Sequence, residues 1–296
     1  MSKNFLFALL FATRLTRLVA WFNRSQVTIL CYHSVTRQQD SKLSDPHKLH
    51  LHIDSFVRHL DYLQTNYRII GLAEFVRARR ANIKLPAGTA ILTFEDGVRN
   101  FFTVVAPILM ERGIPATSFI ITGESFTKES SSLNGQWSPE DDKSYLSWSE
   151  VRQLADQGIK FGSHTCSHQA LTELPPNEAS DELGKSLKTL AAQLAGDSFP
   201  LSYPHGRTSK EISRLSELLG YSCAVTTELG ANDTDCDLFA LRRTVIASDD
   251  DLPTFAARLS GVTALYAKVV NFFNGGTTAA AGSTDFCYDP IEEFES

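Results

Sequence analysis

Ala90-Ile91-Leu92-Thr93-Phe94-Glu95-Asp96-Gly97 is an apolar run of strand length that ends in two adjacent carboxylates and a glycine. Runs of the same kind recur at Val27–Tyr32, Arg68–Ile70, Ala116–Ile121, Ile159–Gly162, Phe199–Tyr203, Cys223–Thr226 and Leu241–Ile246. Such continuous hydrophobicity is what strands buried on both faces require. Segments of helical spacing fall between most of them: residues 54–65 with Phe56, Leu60 and Leu63, residues 72–79, and residues 100–112 with Phe101, Val104, Val105, Ile108 and Leu109. Ser147-Trp148-Ser149-Glu150 and Thr208-Ser209-Lys210-Glu211 have the capping-box pattern of helix starts, and Gly158 and Gly220 fit helix ends. Seven or eight strands alternating with helices predict an α/β fold, a parallel sheet closed into a (β/α) barrel in one domain. No glycine-rich phosphate fingerprint follows any strand, so nucleotide binding has no support.

The polar residues fall where such a barrel gathers its chemistry. His33, Glu95, Asp96, His164 and His205 lie at or just past the C-terminal ends of their strands. Asp96, His164 and His168 offer one carboxylate and two imidazoles, a donor set that suits zinc or a neighbouring divalent ion and leaves a position open for water. Glu95 then stands ready as a base. Strand alternation aims Glu95 and Asp96 in different directions, so both reach one site only if the chain turns there, which Gly97 permits. Without that turn the two acids would simply complement the dipole of the following helix.

His33 closes a strand on the same face, and its imidazole suits general acid work near neutral pH; a hydrogen-bonded strand-end histidine is the alternative. The turn Pro204-His205-Gly206 offers backbone N–H groups, notably that of His205, to an oxyanion, although a plain turn accounts for it as well. Of Arg242 and Arg243, in an otherwise apolar strand, one is expected to point inward and to need a carboxylate, for which Glu95 is at hand. Cys166, between the two histidines, is expected to point away from the metal. His47, His50, His52 and His59 read as mostly solvated, on a polar loop and an exposed helix, with His52 able to face the cleft.

Composition sets the limits. In 296 residues, 43% hydrophobic and 21% charged, there is room for a sizeable core and no sign of wholesale disorder. A formal net charge of -6 argues against a nucleic-acid partner. Five scattered cysteines without a CxxC pair argue against a disulfide scaffold and for a reducing compartment. Residues 1–26 read as a basic amphipathic helix, Arg14, Arg17 and Arg24 interleaved with Leu15, Leu18, Val19, Trp21 and Phe22, which either lies on an anionic membrane surface or packs on the domain. The barrel is expected over residues 27–268, with an inserted loop at 123–146 over the site face and a flexible tail at 269–296.

Three segments in this order resemble the polysaccharide deacetylases, also called the chitooligosaccharide deacetylase homology domain or carbohydrate esterase family 4. Members carry Thr-Phe-Asp-Asp-Gly, His-Ser/Thr-x-x-His and a later Pro-Tyr-Gly, which look like Thr93–Gly97, His164–His168 and Pro204–Gly206 here. The resemblance spans roughly Val27 to Ile246. It implies a distorted (β/α) barrel that hydrolyses N-acetyl groups of amino sugars with a divalent metal, usually zinc. By position it implies Asp96, His164 and His168 as metal ligands, Glu95 as the base, the backbone N–H of His205 at the oxyanion, His33 as the acid and Arg243 as the residue that orients the base. Two positions depart from the pattern: Glu95 replaces an aspartate, moving the carboxylate by roughly 1 Å, and His205 replaces a tyrosine.

The expectation is therefore a metal-dependent carbohydrate N-deacetylase acting on an N-acetylated glycan or a lipid-linked sugar of a bacterial pathway. It is expected in the cytoplasm or peripherally attached to a membrane through residues 1–25. The rivals are a metal- or glycan-binding homologue crippled by Glu95, and an O-acetyl esterase.

Overall fold

The computed structural model describes residues 3–16, 18–19, 26–38, 48–123, 144–196, 198–233, 235–263 and 266. In chain order its strands are β1 (Val27–Tyr32), β2 (Ser34–Thr36), β3 (His50–His52), β4 (Arg68–Ile69), β5 (Thr89–Phe94), β6 (Ala116–Ile120), β7 (Lys160–Ser163), β8 (Leu201–Ser202), β9 (Ala224–Val225) and β10 (Thr244–Val245). The helices are α1 (Lys3–Ala12), α2 (Ile53–Asn66), α3 (Leu72–Arg80), α4 (Ala106–Glu111), α5 (Trp148–Asp156), α6 (Pro176–Gln193), α7 (Lys210–Leu219) and α8 (Leu252–Ser260).

An eight-stranded parallel sheet runs in the order β10-β1-β5-β6-β7-β8-β9, and β4 pairs with the first half of β5 while β6 pairs with its second half. The residues leading into β10 bring the two ends of this order together. Leu241 bridges to Val225 of β9, and three residues on Thr244 pairs with Leu30 of β1. The curled sheet with its helices is a distorted (β/α) barrel in a single domain.

Burial explains the strand sequences. Every residue of β1 and β5 is buried, and alternation sorts them into two faces. Ile29, Ile91, Phe119, Val225 and Leu241, from strands all round the order, form one cluster, the barrel interior. Leu30, Tyr32, Leu92 and Phe94 point the other way and pack with Phe56, Leu60 and Leu63 of α2 and with Phe101, Val105 and Leu109. Gly162 in β7 is set by close approach: a Cβ there would lie 2.6 Å from the Phe119 ring and 2.7 Å from the Pro200 carbonyl oxygen.

Several elements differ from the sequence reading. Residues 100–112 do not form one helix; a π-helical turn at Phe101–Val105 leads into the short α4, with Pro107 at its start. The longest helix, α6, was not signalled by its Pro175-Pro176 entry, and α8 and the small parallel pair β2–β3 were not anticipated either. The Ser147 capping box is present in full, whereas the cap of α7 is Ser209 rather than Thr208. His59 is not solvated. It is fully buried, stacked on Phe255 at 3.9 Å, with Nε2 on the Asp250 carbonyl oxygen at 3.0 Å. His52 caps α2, its Nδ1 accepting from the Asp54 N–H. His47, residues 124–143, the tail from 267, and Arg17, Trp21, Phe22 and Arg24 lie outside the described residues. In α1, Phe7 is buried against Ala257 and Val262, so this helix is docked on the α8 end of the domain; Leu9 and Leu18 remain half exposed. No described helix is long and apolar enough to cross a membrane.

The strand-to-helix junction on the site face is clamped by a buried ion pair. Arg99 Nε lies 2.8 Å from Glu150 Oε1, and Glu150 Oε2 accepts from the backbone N–H and hydroxyl of Ser147. Removing one partner of such a pair strands the other charge. Glu150→Ala is expected to lower unfolding stability by about 3 kcal/mol or more, read from guanidinium denaturation midpoints at constant slope.

Candidate metal centre

Glu95 and Asp96 follow the end of β5, and the chain turns there through two left-handed residues, Asp96 (φ 67°) and Gly97 (φ 74°). The Gly97 N–H closes onto the Glu95 carbonyl at 2.8 Å, and a Cβ at Gly97 would meet Ile120 at 2.8 Å. Gly97 permits the turn as expected, but Asp96 shares it at a conformational cost of about 1 kcal/mol or more. The two neighbouring carboxylates thereby face one site. Across the strands, Tyr32 pairs with Phe94, and the Glu95 N–H donates to the Tyr32 carbonyl at 2.9 Å, which sets His33 beside Glu95.

The histidines follow β7. The His164 N–H is held by the Ile120 carbonyl at 2.8 Å, and Thr165 (φ 63°) and His168 (φ 62°) again adopt left-handed backbone. The turn is fastened by its own polar side chains: Ser163 Oγ accepts from the Thr165 N–H at 3.0 Å and Thr165 Oγ1 from the His168 N–H at 3.1 Å. Glu182 on α6 reaches in to accept from the N–H groups of Cys166 and Ser167 at 2.9 and 3.0 Å. The Cys166 thiol is turned to Thr122 and the Glu182 carbonyl, away from the imidazoles.

Three side-chain atoms now meet. Asp96 Oδ1 lies 3.4 Å from His164 Nε2 and 3.7 Å from His168 Nε2, and the two nitrogens are 3.1 Å apart. Bonds of about 2.0–2.1 Å to one tetrahedral cation would separate their donor atoms by about 3.4 Å, so the triangle has the dimensions of a shared ion. The tautomer agrees. His164 Nδ1 faces the Ser202 carbonyl at 2.8 Å and must carry the hydrogen, leaving the Nε2 lone pair toward the triangle. Burial opposes charge on His164, but Glu95 and Asp96 outweigh it and raise its pKa above the ordinary histidine value. Burial and then the neighbouring His164 pull His168 down to about 3. Asp96 is buried too, yet the three surrounding histidines hold it well below the usual carboxylate range.

Glu95 stands beside the triangle, its Oε2 3.2 Å from His164 Nε2. Of the two arginines, Arg243 is the inward one. It has no exposed surface, its Nη1 is 2.5 Å from Glu95 Oε1, and its Nε donates to the Thr226 carbonyl at 2.7 Å, whereas Arg242 pairs with Glu228 at the surface. Burial works against the Glu95 charge, and Arg243 and His164 more than offset it, so its pKa is lowered. His33 is half-buried, and its Nδ1 has no hydrogen-bond partner among the described residues; burial outweighs the pull of Asp96 and Glu95 and lowers its pKa. His205 (φ 57°) sits in the turn Pro204–Gly206 with its ring 4.7 Å from that of His168, so its side chain is brought to the site.

Sequence reasoning missed two contributors. Glu182 gave no signal, because α6 was not recognised and a lone helical glutamate is unremarkable. Ser202 lies within the strand-length run Phe199–Tyr203 and carries no signal of its own there, yet its hydroxyl contacts both Glu95 Oε2, at 2.6 Å, and Arg243 Nη2, at 3.0 Å.

Residues 82–224 match the family model described as polysaccharide deacetylase. A Bacillus subtilis (strain 168) protein named as the polysaccharide deacetylase YxkH is 27% identical over 239 residues, covering 80% of this chain and 77% of its own. The poly-beta-1,6-N-acetyl-D-glucosamine N-deacetylase of Staphylococcus epidermidis is 22% identical over 191 residues, 62% of either chain. Among solved structures, the Streptococcus pyogenes deacetylase PplD in complex with acetate shares the fold with a TM-score of 0.66, at 23% identity over 79% of this chain and 98% of that one. The matched segment runs through the Asp96 turn, both clustered histidines and the His205 turn, so the similarity to the polysaccharide deacetylase family covers the site itself.

Proposed function

We propose that this protein is a metal-dependent hydrolase that removes N-acetyl groups from an amino sugar of a bacterial glycan. The observation that carries the reading is the triangle of Asp96 Oδ1, His164 Nε2 and His168 Nε2, 3.1–3.7 Å on a side, with a separate carboxylate 3.2 Å from one corner. Asp96, His164 and His168 would hold a divalent ion, zinc by donor type, and the bound ion supplies polarisation of the acetyl carbonyl and a more acidic water. Glu95 is kept ionised by Arg243 and turns Oε2 toward the triad, where it accepts a proton from the attacking water. His33 is placed to protonate the nitrogen as its bond to the acetyl carbon breaks. The His205 N–H donates to the acetyl oxygen as negative charge builds there. The name of the Staphylococcus epidermidis relative favours an N-acetylglucosamine polymer over an O-acetyl ester.

The direct test is acetate release from N-acetylglucosamine oligomers. Release is expected with zinc present, is expected to stop with chelator, and is expected to be absent from Asp96→Ala and His164→Ala, which should also lose stoichiometric zinc by elemental analysis. No metal-dependent release from a broad glycan panel would refute the reading.

Proton linkage gives a second test. With the pKa of His164 raised and those of His168 and Asp96 lowered, only His164 holds a proton that an incoming ion must displace near neutrality. Apparent zinc affinity should therefore fall about tenfold per pH unit below the His164 pKa and level off above it, measured by chelator competition.

The buried fit of Glu95 supports a site built around glutamate rather than a crippled one. Glu95→Asp is expected to lower kcat about 10- to 100-fold, and a large gain would instead mark the native chain as impaired. His33→Ala should lower kcat about 100-fold or more while metal content stays unchanged.

A further inference from the structure

We infer that Ser202 is a positioning residue for the base, and the residue that fits this site to a glutamate at position 95. The inference rests on the deacetylase reading for what the base does, and on the geometry alone for where the base is held. An arginine facing a carboxylate ordinarily closes a bidentate fork, two nitrogens on two oxygens. Here only one arm is closed. Arg243 Nη1 meets Glu95 Oε1 at 2.5 Å, whereas Nη2 goes to Ser202 Oγ at 3.0 Å, and Ser202 Oγ in turn lies 2.6 Å from Glu95 Oε2. The hydroxyl is thus inserted into the second arm of the fork.

Its hydrogen can point only one way. A guanidinium has donors and no acceptor, so Ser202 Oγ receives from Arg243 and must give its own proton to Glu95. The result is a closed ring of three side chains, all fully or almost fully buried, in which each glutamate oxygen has its own anchor. Oε2, carried outward by the inserted hydroxyl, is the oxygen that stands 3.2 Å from His164 Nε2, next to the triad. A carboxylate one methylene shorter would fall back toward β5 and lose the Ser202 contact. The backbone of Ser202 has a separate task. Its carbonyl accepts from His164 Nδ1, and a change of side chain leaves that bond in place.

These two tasks make the inference testable. Ser202→Ala is expected to lower kcat about 10- to 100-fold, with KM within threefold and zinc content still one per chain, because the carbonyl still orients His164. In the Glu95→Asp background the same substitution should change kcat less than threefold. A crystal structure of Ser202→Ala should show both Glu95 oxygens drawn onto Arg243 and away from His164. Ser202→Cys, of similar shape but a poor donor, should behave in the same direction and covers the case in which the alanine variant folds badly. Equal losses in the glutamate and aspartate backgrounds, loss of zinc on Ser202→Ala, or an unmoved Glu95 carboxylate would each overturn the inference. The crystal structure reads the carboxylate without turnover, so inertness of the native protein would overturn the proposed function alone.

Discussion

A guanidinium with no exposed surface lies inside a barrel of parallel strands, and the rest of the site is arranged around satisfying it. Taking a full positive charge out of water costs several kcal/mol unless counter-charge and hydrogen bonds replace the solvent. Arg243 receives all of these from different parts of the sheet: the Glu95 carboxylate at the end of β5, the Thr226 carbonyl just past β9 and the Ser202 hydroxyl on β8. Three segments distant in sequence are thereby locked in relative height. Slipping any one of them would strand a buried donor or the charge itself, so the guanidinium fixes their register and holds the Glu95 carboxylate in its ionised form.

A second cost is concentrated at the same end of the barrel. Asp96, Thr165, His168 and His205 all adopt left-handed backbone, which L-residues avoid. They lie in the turns that follow the strands, where Asp96, His168 and His205 bring side chains to the site and Thr165 fastens the histidine turn. Glycine would relieve the strain but supply no ligand. The surrounding hydrogen bonds, from Ser163, Thr165 and Glu182 around the histidine turn and from Gly97 and Leu146 around the carboxylate turn, hold these conformations in place.

The fold was readable wherever burial acts on strands. Val27–Tyr32 and Thr89–Phe94 are apolar throughout because they are covered on both sides, and their ends coincide with the polar residues that face the site. The triad, Glu95 and the inward Arg243 were readable because their chemistry is conspicuous in such surroundings. Less legible was whatever depends on tertiary context. The buried His59 looks like any helical histidine until Phe255 stacks on it from the far end of the chain. The π-helical start at Phe101 breaks an otherwise regular helical pattern, and α6 opens with two prolines and a polar turn that carry little periodicity. Ser202 was hidden for another reason: a serine hydroxyl acquires meaning only from what lies within 3 Å of it.

The stretch between Gly123 and Ser144 leaves and rejoins the domain at fixed points on the site framework. The Gly123 N–H is bonded to the Cys166 carbonyl in the histidine turn, the Arg99 N–H to the Ser144 carbonyl, and the Leu146 N–H to the Gly97 carbonyl in the carboxylate turn. The two turns that carry Asp96 and the histidines thus double as the anchors of the chain on either side of residues 124–143.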